Sequence, residues 1–166
     1  MFMEINEEKL NRIGQFISKQ GFKLSLAESM PAGFFTSVWS LQTESGDYLQ
    51  GSIICYAEEI KLSVLNVPNT VIQQYSAESA EVTKAMLHGL KNIIPPDIHI
   101  SVTGKAFSDY DKNASAGDVF LCISFRENLK SQKIHFSATN AAEVFIKSFN
   151  ASLDILESML IPDFKL

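Results

Sequence analysis

Cysteine is scarce in this chain: Cys55 and Cys122 are the only two among 166 residues. Two cysteines do not make a disulfide framework. Both fall in apolar, strand-like runs, so they read as reduced core residues of a cytoplasmic protein. Histidine is almost as rare. His88, His99 and His135 are scattered without metal-ligand spacing, and read as surface or internally satisfied side chains. Positive charge is in deficit, with 14 Lys and Arg against 19 Asp and Glu and a net charge of -5. A nucleic-acid surface needs a basic face, and none stands out. A small anionic ligand needs only a few local donors and stays admissible. No run approaches the roughly 18 apolar residues of a membrane span. The acidic start "MFMEINEEKLNRIG" lacks the basic and apolar regions of a signal peptide. Repeats, linkers and low-complexity tracts are also missing.

What the chain does have is a 46% hydrophobic composition, enough for one compact domain over residues 1–166. Apolar Ile5, Leu10, Ile13, Phe16 and Ile17 recur near a helical period over 5–20, and Gly21 ends that helix. "FKLSLA" at 22–27 reads as a strand. Pro31 suits the first turn of a second helix that runs to about Leu41. A turn and strand follow over 46–57, then a short helix over 58–67 and a further helical turn at "TVIQQY". Residues 76–93 form a long helix with a serine cap, with Val82, Ala85, Met86 and Leu90 on its apolar face. A strand ends at Gly104, and 117–138 reads as a hairpin turning at Glu127-Asn128. A helix over 139–160 closes the chain, with Asn140 and Glu143 at capping-box spacing. Strands alternating with helices, followed by a hairpin, predict a three-layer α/β/α sandwich with a mixed, mostly parallel sheet containing one antiparallel strand.

In such a sheet, function gathers at the carboxyl ends of the strands. Three segments should meet there: Ala27–Gly33, Tyr56–Lys61, and Thr103 onward. Ser29 has two readings. It is a helix N-cap worth about 1 kcal/mol, or a nucleophile beside free helix N–H groups that could serve as an oxyanion hole. A serine hydroxyl needs a base to become nucleophilic. No histidine is well placed, which leaves Lys61 as the candidate base. That role requires its ammonium to lose a proton near neutral pH through burial or a neighbouring cation. Otherwise Lys61 is a solvated helix lysine beside Glu58. Tyr56, five residues earlier, either relays the proton or orients the lysine, or is a strand aromatic with a surface hydroxyl. Glu28 is a functional acid or an electrostatic complement to the helix N-terminus.

Read together, these segments resemble the CinA C-terminal domain family, whose members include nicotinamide-nucleotide amidohydrolases. The family pattern runs AESCTGG, TYSNxxK, LGV, a VSE helix start, SGIAGPxGG and PVGTV. This chain has "AESMPAG" at 27–33, "CYAEEIK" at 55–61, "LNV" at 65–67, Ser79 before a helix carrying Met86 and Gly89, "SVTGKA" at 101–106 and "AGDV" at 116–119. Order and spacing agree over almost the whole chain.

The resemblance implies hydrolysis of the carboxamide of nicotinamide mononucleotide to nicotinate mononucleotide and ammonia. The family's serine, tyrosine and lysine fall on Ser29, Tyr56 and Lys61. Its substrate-binding segments fall on Glu28, Met30, Ala32, Gly33, Thr103, Gly104 and Lys105. No metal or cofactor is implied, because helix N–H groups can bear the oxyanion. The partner implied is a small nucleotide-like substrate, with no nucleic acid and no membrane, and a homodimer is suggested. Some relatives carry a fused N-terminal domain, which is not expected within 1–166.

The departures from the pattern cluster at the binding segments. Cys-Thr-Gly-Gly becomes Met30-Pro31-Ala32-Gly33, which removes one N–H at Pro31 and adds a Cβ at Ala32. The glycine-rich loop becomes Lys105–Asp111, which largely loses the ability to cradle phosphate through backbone N–H groups. Lys105 either supplies a charge in its place or is an ordinary loop lysine. Phe107 and Tyr110 either fold over the site as a lid or cap an empty pocket. Three functions stay open: the nucleotide amidase, a hydrolase for another small amide, or a module on the same fold that only binds a ligand or partner.

Overall fold

The computed structural model describes residues 4–95, 97–107, 116–138 and 140–160. The chain opens with α1 (Glu7–Gln20), whose first turn is capped by the Asn6 side chain accepting from the Lys9 N–H. Gly21, in the left-handed region, closes it by donating to the Ile17 and Ser18 carbonyls. Next come β1 (Leu24–Glu28), α2 (Phe34–Ser40), a single turn α3 (Ser45–Tyr48), β2 (Leu49–Ile54), α4 (Glu58–Ser63) and α5 (Asn69–Tyr75). The second half holds α6 (Ala80–Ile93), β3 (Ile98–Gly104), the hairpin β4 (Asp118–Phe125) and β5 (Asn128–His135), and α7 (Ala141–Leu160). Ser79 caps α6 by accepting from the Val82 N–H, and Asn140 accepts from the Glu143 N–H at the start of α7.

The five strands form one sheet in the order β2-β1-β3-β4-β5. β1 pairs in parallel with both β2 and β3, and β4 is antiparallel to both β3 and β5. Four strands therefore share one direction and β4 alone runs against them, as the element order predicts. Alternating side chains feed two layers. One face holds Leu24, Leu26, Ile98, Ile100, Val102, Leu121 and Ile123 against apolar residues of α1, α2 and α7. Across the sheet, Ala27 and Cys55 pack with Leu65, Val67 and Ile72 and with Val82, Met86 and Leu90 of α6. That second face is partly polar: Ser101 of β3 donates to the Thr83 carbonyl of α6.

Two local expectations are corrected. The second helix does not start at Pro31. The Met30–Pro31 peptide is cis, and Ala32 and Gly33 both hold positive φ (58° and 100°), so helical geometry begins only at Phe34. Glycine suits its position, since that φ favours a residue without a Cβ. The hairpin turns at Arg126-Glu127, one residue earlier than expected, because Phe125 and Asn128 already pair across it. No described helix is long and apolar enough to cross a membrane.

Candidate active site

Parallel pairing of β2, β1 and β3 brings their carboxyl ends to one edge of the sheet. Ser29 directly follows β1, and its N–H extends the ladder by donating to the Val102 carbonyl at 3.0 Å. Its backbone is thus fixed by the sheet. Lys61 arrives from the other side of β2, on the last turn of the short α4. Its ammonium carbon chain is fully buried, with 1% of the residue exposed. The Nζ lies 3.0 Å from Ser29 Oγ, 2.9 Å from the Cys55 carbonyl oxygen and 3.4 Å from that of Tyr56. Among the readings open for Lys61, the solvated helix lysine is overturned.

Burial pushes the Lys61 pKa below the ordinary lysine value, partly offset by the charges of Cys55, Glu78 and Glu58. Cys55 contributes no charge near neutral pH, because burial raises its own thiol to about 11. The two backbone carbonyls around Nζ can only accept. As an ammonium, Lys61 donates to both carbonyls and to Ser29 Oγ; as a neutral amine it keeps two N–H groups for the carbonyls and turns its lone pair to the Ser29 hydroxyl.

A cavity of about 140 Å³ opens in front of this pair. Ser29, Met30, Tyr56, Gly104 and Lys105 line it, together with Glu78, Ala106, Phe107 and Phe145. Lys61 lies behind Ser29 rather than in the wall. Tyr56 is 62% exposed and lines the cavity, and it meets Lys61 through its carbonyl rather than its hydroxyl. Lys105 is buried, with its backbone N–H on the Asp118 carbonyl.

The other expected binding residues stand elsewhere. Glu28 is fully buried and faces α2, where its carboxylate accepts from the N–H groups of Gly33, Phe35 and Thr36 at 2.9, 3.1 and 2.8 Å. Gly33 has therefore committed its N–H, and neither it nor Ala32 lines the cavity. Thr103 is buried on β3, with no hydrogen-bond partner for its hydroxyl among the described residues. Ser108, Asp109, Tyr110 and Asp111 lie outside the described residues.

The expected oxyanion hole at the helix mouth is also corrected. The donors of α2 are occupied by Glu28, and the Phe34 N–H donates to the Pro31 carbonyl. The Met30 N–H, next after the serine, has no acceptor among the described residues. Sequence reading missed Glu78 and Phe145 as cavity residues. Glu78 is hidden one place before the α6 cap, and Phe145 belongs to the apolar stripe of α7, where a cavity wall and a core position look alike. No group of three or more metal-binding side chains occurs among the described residues.

Comparison with known proteins agrees with this architecture. A CinA-like protein of Syntrophomonas wolfei is 29% identical over 156 residues, covering 93% of this chain and 37% of its own. A putative competence-damage inducible protein of Lactiplantibacillus plantarum is 31% identical over 152 residues, covering 91% of this chain and 36% of its own. The chain thus spans little more than a third of the length of these curated relatives. Among solved structures, the competence damage-inducible protein A of Klebsiella pneumoniae superposes with a TM-score of 0.89 at 23% identity, over 95% of this chain and 98% of its own. The competence/damage inducible protein CihA of Agrobacterium tumefaciens gives 0.88 at 21% identity, over 95% and 97%. With the family pattern described as CinA C-terminal domain matching residues 6–160, this chain belongs to that family.

Proposed function

We propose that the protein is an amidase of the nicotinamide-nucleotide type, cleaving the carboxamide of nicotinamide mononucleotide or a close relative through Ser29 and Lys61. The 3.0 Å contact between Ser29 Oγ and a fully buried lysine amine carries this reading. A lysine held for packing alone has no reason to lie against a serine hydroxyl at the floor of a cavity. Family membership is consistent with it.

In this reading, neutral Lys61 takes the proton from the Ser29 hydroxyl as Oγ bonds to the amide carbon. The carbonyl electrons move to the oxygen, and the Met30 N–H supplies a donor for that oxyanion. As the tetrahedral species collapses, the C–N bond breaks, Lys61 returns its proton to the leaving nitrogen and ammonia departs. Water then attacks the acyl-serine, giving its proton to Lys61. Breakage of the ester bond releases the acid and restores the serine hydroxyl. Tyr56 acts as a positioning residue through its carbonyl, and its ring forms a wall for the substrate. Lys105 supplies the charge facing the anionic part of the nucleotide.

Ammonia release from nicotinamide mononucleotide tests the proposal. Wild type should release it, while Ser29→Ala and Lys61→Met should each lose activity by about 10³-fold or more, since removal of a nucleophile or its base is severe. Release undiminished in Ser29→Ala would end the reading. Binding of the nucleotide without release by wild type would favour a module that only binds.

A further inference from the structure

The two edges of the sheet are finished differently. β5 carries Lys130, Lys133 and His135, and charged side chains of this kind keep an edge strand from pairing with another chain. Lys130 donates to Ser158 Oγ of α7, and Lys133 and His135 both reach the Asp118 carboxylate. β2, the opposite edge, reads Leu-Gln-Gly-Ser-Ile-Ile and has no lysine, arginine or proline. The Cys55 N–H donates to the Glu28 carbonyl, so the alternation of a parallel ladder turns Ile53 and Cys55 toward β1. The backbone N–H and C=O groups of Ser52 and Ile54 then face outward, and they have no hydrogen-bond partner among the described residues.

The surface that continues from this edge is apolar. Ile54, Tyr56, Ile60 and Val64 are all exposed, and Ile60 and Val64 stand one helical turn apart on α4 and its cap. An open edge beside exposed apolar side chains suits an extended segment added as a strand: backbone groups give affinity, and side-chain contacts give selectivity.

Charge narrows the choice of segment. Between Leu24 and Thr83 the only lysine or arginine is Lys61, which is buried. Glu58 and Glu59 are exposed within the apolar run and meet no cation of their own face. A second copy paired through the same edge brings no exposed lysine or arginine from that face either, so the carboxylates stay unmatched. A basic segment matches them.

We propose that the outer edge of β2, with the apolar run from Ile54 to Val64, docks a basic, extended segment of another protein as a sixth strand of the sheet. The assignment does not depend on the chemistry at Ser29.

The probe is a short, end-blocked, fluorescently labelled peptide of alternating lysine and valine, titrated against the full chain by anisotropy. Two peptides of equal length are its controls. One alternates glutamate and valine and so reverses the charge. The other is the lysine–valine sequence with its backbone amides N-methylated, which keeps the charge and removes the donors of a ladder. The lysine–valine peptide should bind at least tenfold more tightly than either control, and less tightly as salt is added. It should also slow amide hydrogen exchange at Ser52 and Ile54. Ile54→Lys puts a charge on the edge, and Glu59→Lys reverses one of the carboxylates. Each should weaken binding at least fivefold, and both change exposed side chains, so one poorly folding variant does not decide the matter.

No binding, equal binding of either control, or binding that neither variant weakens would overturn the assignment. Slow exchange at Ser52 and Ile54 in the chain alone, with sedimentation as a dimer, would give the edge to a second copy and overturn it as well.

Discussion

A lysine amine removed from water resists carrying charge, and Lys61 meets that condition at the end of a six-residue helix. The consequence for stability has a definite sign. Between its lowered folded pKa and the ordinary value of 10.5, the folded protein binds fewer protons at Lys61 than the unfolded chain. Stability from this residue therefore rises with pH across that window, by at most about 1.4 kcal/mol per pH unit. The thiols of Cys55 and Cys122 act oppositely: burial raises each to about 11, so their unfolded forms ionise first and stability falls above the ordinary thiol range. Denaturant unfolding of wild type and Lys61→Met, from about pH 6 to about pH 9, avoids most of that opposing contribution. Wild type should gain stability relative to Lys61→Met as pH rises. A gap that stays constant would mean that the amine keeps its proton in the fold, and the base role would go with it.

At the scale of the element, Lys61 owes its position to a close approach elsewhere. The Val67 N–H donates to the Lys61 carbonyl at 3.0 Å, which ties the α4 exit to the segment holding Leu65. That segment packs on α6 at Gly89, where an added Cβ would stand 2.0 Å from the Leu65 carbonyl oxygen. Alanine is the better helix former by about 1 kcal/mol, yet Gly89→Ala should destabilise, by about 2 kcal/mol or more, because backbone must move to admit it. It should also reduce ammonia release in the surviving folded fraction, since the displaced segment is tied to Lys61, the base proposed for that reaction. A melting temperature unchanged or raised in Gly89→Ala would show that α6 does not hold α4 in place.

The same scale explains what was legible in the sequence. Periodicity and caps sufficed for α1, α6 and α7, because each carries its own apolar stripe and its own start or stop residue. Strand–helix order sufficed to bring Ser29, Tyr56 and Lys61 to one sheet edge. The segment at 30–33 was different. There the start of α2 depends on two successive positive φ values and on a carboxylate reaching back from β1, neither of which has a periodic signal. A free helix mouth and one already filled by Glu28 look the same in "AESMPAG". Glu78 was missed for a related reason: the residues it shares the cavity with come from α7 and from the segments at the ends of β1, β2 and β3, which its own stretch of chain does not announce.

For the molecule as a whole, the site joins both layers of the sandwich. Phe145 comes from α7, whose helix packs on the larger apolar face, whereas Lys61 and Glu78 belong to elements on the smaller one. Ion pairs such as Arg12–Glu157, which tie α1 to α7 at the surface, add little to this cohesion. The sheet is the shared wall, so neither face can lose its packing without exposing strands that the other buries. Trp39, the single tryptophan, is buried on the larger face and reports on it alone. Met86 is buried in the smaller cluster. Met86→Ala should cost about 2–5 kcal/mol, and so lower the melting temperature by roughly 5–15 °C in a chain of this size. If the layers form one cooperative unit, Trp39 fluorescence and far-UV circular dichroism should fall together in the variant, at the same lowered temperature, and ammonia release should vanish with them. A variant that loses ammonia release while Trp39 stays buried would mean that the Lys61 side of the sheet opens by itself, and that the site is assembled from two units that fold separately.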